Sequence, residues 1–180
     1  MRYKKILVTG GLGFIGSNLS QKLVDRNYEV VIIDNCSTGK LSNILPKYKK
    51  NITVYKDTIL NEKIIKKLIY KSDYVFHLAA SVGVKHILEN PIKSMNTNLK
   101  GTELILKYSS LYKKKVLIAS SSEVYGLGNK KEFNENDIHT IGNSSFFRWS
   151  YAASKLVDEF YANAYKIDKN LDVCIVRFFN

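Results

Sequence analysis

Tyr151 and Lys155 are the residues of this chain whose types and spacing are best suited to moving a proton. Four apart, they share one face of a helix with Lys155 one turn further along. An ammonium beside a phenol favours the phenolate, as does a cationic cofactor ring, so the pair turns a tyrosine into a usable base. Upstream, Ser120-Ser121-Ser122-Glu123-Val124-Tyr125-Gly126 reads as a hydroxyl-rich turn carrying one carboxylate. Near the start, residues 9–16 read Thr-Gly-Gly-Leu-Gly-Phe-Ile-Gly. Gly11, Gly13 and Gly16 give G-x-G-x-x-G, and Gly10, Gly13 and Gly16 give G-x-x-G-x-x-G. Either spacing suits a turn where backbone N–H groups and a helix N-terminus approach the diphosphate of a dinucleotide.

Those residues need elements to position them. The apolar run 6–8 reads as a buried strand leading into the glycines, and Ile15, Leu19, Leu23 and Val24 as the helix that follows. A second strand, 30–33, ends in Asp34, about twenty residues past the glycines, where a carboxylate can accept both adenosine ribose hydroxyls. Further strands are expected at 52–56, 74–79, 116–119 and 173–176, separated by helical patterns at 64–69, from Pro91 through Tyr108, and from Arg148 onward. Asp57, at the end of the third strand, suits an adenine amino group or a helix cap equally well. Strands alternating with helices, without a hairpin signal, predict an α/β fold with a doubly wound parallel sheet of about six strands and helices on both faces. Ligands of such sheets bind beyond the carboxyl ends of the strands, where the glycines, Asp34 and the hydroxyl-rich turn fall. The last helix carries Leu156, Phe160, Tyr161 and Ala164 as its apolar side, suited to core packing or to a dimer.

With 180 residues and 45% hydrophobic content, the chain suits one α/β domain. Its formal net charge is +12, but the lysines fall in short groups such as Lys4-Lys5, Lys66-Lys67 and Lys113 to Lys115. A lysine-rich surface fits better than a nucleic-acid stripe, so no nucleic-acid partner is expected. No apolar run approaches membrane-spanning length and the start lacks a signal-peptide core, so the expected location is cytoplasmic, without a membrane partner. Cys36 and Cys174 form no ligand motif and suit free thiols. His77, His86 and His139 are scattered, and no metal is expected; His77, at a strand end, suits a packed role.

The glycine stretch, Asp34, His77-Leu78-Ala79-Ala80, Asn98-Leu99-Lys100-Gly101-Thr102, Ser121-Ser122-Glu123-Val124-Tyr125-Gly126, Tyr151 with Lys155, and Arg177-Phe178-Phe179-Asn180 resemble the extended short-chain dehydrogenase/reductases of the NAD-dependent nucleotide-sugar epimerase/dehydratase family. The resemblance runs from end to end. It implies a Rossmann domain over residues 1–180 with NAD as cofactor. Gly10, Gly13 and Gly16, with Phe14 and Ile15, would face the diphosphate. Asp34 and Asn35 would face the adenosine ribose, Asp57 and Thr58 the adenine, while Leu78, Ala79, Ala80 and Asn98 would complete the cofactor wall. Tyr151 would take the proton of the sugar 4-hydroxyl, and Lys155 would hold the nicotinamide ribose and lower the tyrosine pKa. Ser121 would hydrogen-bond the same sugar oxygen, with Ser122 and Asn180 also on the substrate.

A UDP-sugar is the expected substrate, passing through a 4-keto intermediate, and a homodimer is the expected assembly. Glu123 separates the reactions, because 4-epimerases of the family usually carry a neutral residue there, whereas dehydratases and hexuronate decarboxylases carry glutamate. With Arg148-Trp149-Ser150 before Tyr151, the pattern is similar to UDP-glucuronate decarboxylase-like members, although UDP-glucose 4-epimerase-like members share it. The resemblance also implies a C-terminal substrate-binding domain beyond Asn180. On that reading these residues are the cofactor half, active as an enzyme or serving as an NAD-binding module without catalysis of its own.

Overall fold

The computed structural model describes residues 4–127 and 132–179, with backbone alone for 84–86. Six strands, β1 (Lys5–Thr9), β2 (Glu29–Asp34), β3 (Ile52–Lys56), β4 (Tyr74–His77), β5 (Lys115–Ser121) and β6 (Val173–Phe178), form one sheet in the order β3-β2-β1-β4-β5-β6. Every pairing is parallel. The doubly wound sheet expected from the alternation is therefore present, and its order reverses between β1 and β4.

Alternation along the strands divides the core. Ile6, Val8, Val30 and Ile32 point to one face, where Leu23 of helix α1 (Phe14–Asp25) covers them together with Ile44 and Tyr48 from the β2–β3 connection. Leu7, Val31, Ile33, Val75 and Ile118 point to the other. There they meet Ile65, Leu68 and Ile69 of α2 (Glu62–Tyr70), Ile105 and Leu106 of α4 (Pro91–Leu111), and Ala162 of α5 (Ser150–Lys169). Burial on both faces explains why the strands are apolar runs rather than polar–apolar alternations.

Several boundaries differ from the sequence expectation, β6 for one running on to Phe178. β4 stops at His77, and residues 78–80 leave the sheet as part of the ligand-facing turn. β5 continues to Ser121, so two of the three serines lie on the strand and the 3-10 turn begins at Ser122. A short helix, α3 (Val84–Glu89), precedes α4 and carried no clear periodic signal.

The largest difference concerns α5. The side expected to be apolar is largely in solvent, with Phe160 66% and Tyr161 40% exposed and Ala164 exposed as well. The buried side consists of Ala152, Ser154, Lys155, Asp158, Glu159 and Ala162. Small residues admit close approach, and each charged residue finds a partner. Lys155 pairs with Asp158 at 2.8 Å, while Glu159 takes Arg177 of β6 through Nη2 at 2.7 Å and Nε at 2.9 Å. Burial pushes the Glu159 carboxyl up, but Arg177 and the Ser120 hydroxyl outweigh it and hold the group below its ordinary value.

Candidate active site

The glycine loop sits at the reversal point between β1 and β4. Gly10 has φ of +68°, and a Cβ there would lie 2.8 Å from the Ala79 nitrogen, so only glycine lets the two strand exits cross this closely. A Cβ on Gly16 would sit 2.3 Å from the Gly10 carbonyl oxygen, which fixes how near α1 comes to the loop. Gly13 instead borders open space, with the Gly10 oxygen at 3.4 Å as the nearest atom to a Cβ. Gly13 caps α1 without a side-chain hydrogen bond, and the first turn carries no acidic residue. The helix therefore presents its electropositive end to the cleft.

Asp34 closes the adenosine side. Its Oδ2 accepts from the Leu12 N–H at 3.0 Å and its Oδ1 from the Cys36 N–H at 2.8 Å, so both oxygens are oriented while each keeps a lone pair. Asp57 is not a helix cap. It accepts from the Thr58 N–H at 2.7 Å and from Asn61 Nδ2 at 2.9 Å, and Asn61 caps α2 by accepting from the Ile64 N–H.

These groups line one cleft of about 820 Å³. Gly10, Gly13, Phe14, Ile15, Gly16, Asp34, Asn35 and Asp57 form one end, Leu78, Ala79 and Ala80 the middle, and Ser121, Glu123 and Tyr151 the other end. A cradle of uncapped backbone N–H groups, an oriented carboxylate and an apolar middle fit a dinucleotide. Lys93 and Arg148 also face the cleft. The sequence reading used Arg148 as a helix opener and as part of the pattern before Tyr151, without giving it a place in the site.

Four expected site residues do not line the cleft. The half-buried Thr58 uses its hydroxyl within its own turn, accepting from the Leu60 N–H at 3.2 Å. Asn98 is buried as a brace, accepting from the Ser81 N–H at 2.7 Å and donating to the Ser154 hydroxyl at 3.0 Å. It thereby shapes the turn after β4 rather than facing a ligand. Ser122 lies in the 3-10 turn beside the cleft, and Lys155 is 2% exposed. Asn180 lies outside the described residues.

Tyr151 receives a hydrogen bond from Ser121, which favours its phenolate, yet its pKa is pushed up to about 12. Burial is the main cause, and the Glu123 and Asp158 carboxylates add to it. Lowering by Lys155, expected from the sequence, is not among these influences, and the Lys155 ammonium donates to Asp158 Oδ2 at 2.8 Å.

Behind the cleft runs a chain of buried polar groups that the sequence reading did not connect. The Ala79 N–H donates to Thr9 Oγ1 at 3.1 Å, Thr9 Oγ1 lies 2.8 Å from His77 Nδ1, and His77 Nε2 lies 3.1 Å from Thr102 Oγ1. Thr102 spends its proton on the Asp158 carboxylate, so its oxygen accepts from His77 Nε2–H, and Nδ1 of the neutral ring accepts from Thr9. Burial, then the Lys155 charge, lowers the His77 pKa to about 3.

Comparison with known proteins agrees with this geometry. The model of the GDP-mannose 4,6 dehydratase family matches residues 7–180. The chain belongs to that family. It is 43% identical over 177 residues to a UDP-N-acetyl-alpha-D-glucosaminuronate decarboxylase of Bacillus cytotoxicus, covering 98% of this chain and 54% of the relative. Among solved structures, a UDP-N-acetylglucosamine 4-epimerase from Methanobrevibacter ruminantium in complex with UDP-N-acetylmuramic acid superposes with a TM-score of 0.89 at 32% identity, covering all of this chain and 56% of that one. A UDP-glucose 4-epimerase from Brucella ovis in complex with NAD gives 0.85 at 28% identity, covering 98% and 52%. The family resemblance read from the motifs is thus borne out, and the chain spans about half the length of the curated relatives it matches. Among the described residues, no helix is long and apolar enough to cross a membrane, and no three His, Cys, Asp or Glu residues come together as a metal site.

Proposed function

We propose that these residues are the NAD-binding and proton-transfer part of a cytoplasmic enzyme acting on a UDP-sugar through a 4-keto intermediate, as a hexuronate decarboxylase or a 4-epimerase. One observation carries the reading: Ser121, Glu123 and Tyr151 share a single cleft with the glycine loop and Asp34. Gly13 and the start of α1 would hold the diphosphate and Asp34 the ribose, with a preference for NAD because a 2′-phosphate would meet a carboxylate. The nicotinamide, when bound, supplies a hydride acceptor for the sugar C4 carbon. Tyr151 takes the proton of the C4 hydroxyl while Ser121 hydrogen-bonds the same oxygen. Glu123, exposed at the cleft wall, is placed to act at C5 or beside a C6 carboxylate. Glutamate here, and the decarboxylase relative, favour decarboxylation over epimerisation.

A second reading, an NAD-binding module without independent catalysis, rests on the chain spanning about half its relatives' length. Calorimetry with NAD, followed by UDP-glucuronate and UDP-glucose, separates the two. The enzyme reading expects NAD binding and substrate-dependent formation of reduced nicotinamide that Tyr151→Phe abolishes by at least about 100-fold. NAD binding with no response to either sugar supports the module, and failure to bind NAD defeats both readings.

The exposed apolar side of α5, with Val157, Phe160 and Tyr161, is proposed to meet the same surface of a second copy. A protein surface of this kind usually marks an interface.

A further inference from the structure

Lys155 and Asp158 form an ion pair whose side chains are 2% and 0% exposed. Two charges withdrawn from water this completely are costly unless each is well partnered. Asp158 Oδ2 accepts from Lys155 Nζ at 2.8 Å, whereas Oδ1 has no hydrogen-bond partner. The arrangement is therefore held by the ammonium more than by any other donor. Burial pushes the Asp158 carboxyl up, and Lys155 first, then the Thr102 hydroxyl, work against that by favouring its charged form. Thr102 is itself fixed by His77, which is fixed by Thr9, so a rigid polar chain reaches from the Ala79 turn to Asp158.

The consequence falls on Tyr151, one turn before Lys155. The groups acting on its hydroxyl are the Ser121 hydroxyl from β5, Glu123 from the following 3-10 turn, and Asp158 from α5 itself. Neutral His77 of β4 adds no charge, and Glu159 is occupied by Arg177 of β6. An ammonium bound 2.8 Å from a carboxylate acts at a distance as a dipole rather than as a full positive charge.

We propose that Asp158 is the positioning residue of the proton-transfer pair: it holds the Lys155 ammonium on the α4 side of α5 and opposes its field at Tyr151, so that Asp158 raises the pH at which Tyr151 ionises. This rests on the reading of Tyr151 as the base, and adds a residue that acts on it through Lys155. Any partner that draws the ammonium away from Asp158 exposes Tyr151 to its charge, coupling the site's occupancy to the basicity of the tyrosine.

Two spectroscopic measurements test this on the intact chain without NAD or sugar, so neither depends on turnover. In protein carrying 13C at the tyrosine Cζ, the Tyr151 signal is assigned by its loss in Tyr151→Phe and followed with rising pH. Asp158→Asn should lower its midpoint by about one to three pH units, because Lys155 is then unopposed, and Asp158→Glu should restore the wild-type behaviour. A midpoint unchanged or raised in Asp158→Asn overturns the proposal. Should that variant fail to fold, the wild-type protein decides through its 15N-labelled lysines. A slowly exchanging Lys155 ammonium, scalar-coupled to the Asp158 carboxyl carbon, supports the pair, and exchange as fast as that of surface lysines refutes it. An inactive enzyme that passes both tests would overturn the functional reading while leaving this one intact.

Discussion

Acidification should destabilise this fold through His77, beginning as the pH falls below about 6.5. The ring is fully enclosed and keeps a folded-state pKa of about 3, against an ordinary value of 6.5 in the unfolded chain. Below pH 6.5 the unfolded chain takes up a proton that the folded protein refuses. Stability contributed by the neutral ring is thus fully present above 6.5 and falls as pH drops toward 3. At about 1.4 kcal/mol per pH unit, lowering the pH from 7 to 5 removes about 2 kcal/mol, a large part of a typical domain's stability. Urea unfolding at several pH values between 7 and 5 measures the slope, with His77→Gln as the comparison because glutamine does not titrate. The wild type should lose about 2 kcal/mol more than the variant over that window. Equal slopes, or a His77 ring that titrates near pH 6 by NMR, would refute the enclosed neutral histidine and the polar chain built on it.

Gly16→Ala should weaken NAD binding and cost about 1–3 kcal/mol of stability, since the new methyl meets the Gly10 backbone rather than a side chain that can move aside; calorimetry and thermal melting read the two effects. Arg177→Met leaves the Glu159 carboxylate buried without its cation and should cost about 3–5 kcal/mol by chemical denaturation, with a smaller loss if Glu159→Gln accompanies it. Phe160→Glu places a charge on the exposed side of α5 and should leave the monomer's melting temperature nearly unchanged while abolishing any dimer seen by sedimentation.

The sheet was legible in the sequence because both of its faces are buried, so each central strand stood out as an unbroken apolar run. The glycine loop was legible for a different reason, its spacing being dictated by backbone contact. Asp34 was found by its distance from that loop, and Asp57 was left between two roles that Asn61 resolves by capping α2. The inner side of α5 could not be read this way. Asp158 and Glu159 have the residue types of a solvated face, and only Arg177, eighteen residues further on, shows that Glu159 turns inward. Phe160 and Tyr161 look like core, and are not. Asn98 carried the right residue type but braces the site from behind, a distinction that depends on Ser81 and Ser154 being its neighbours.

A helix seated on oil can slide, because one leucine replaces another at little cost. α5 has no such freedom. Advancing it by one residue would turn it by about 100° and shift it about 1.5 Å, separating Glu159 from Arg177 and Ser154 from Asn98 together. Every misplaced docking would strand several charges in the dark at once, so the polar underside works as a combination lock with one setting. The reward for that stringency is carried at the helix's first turn, where Tyr151 arrives in the cleft with its position already decided by residues up to two turns away.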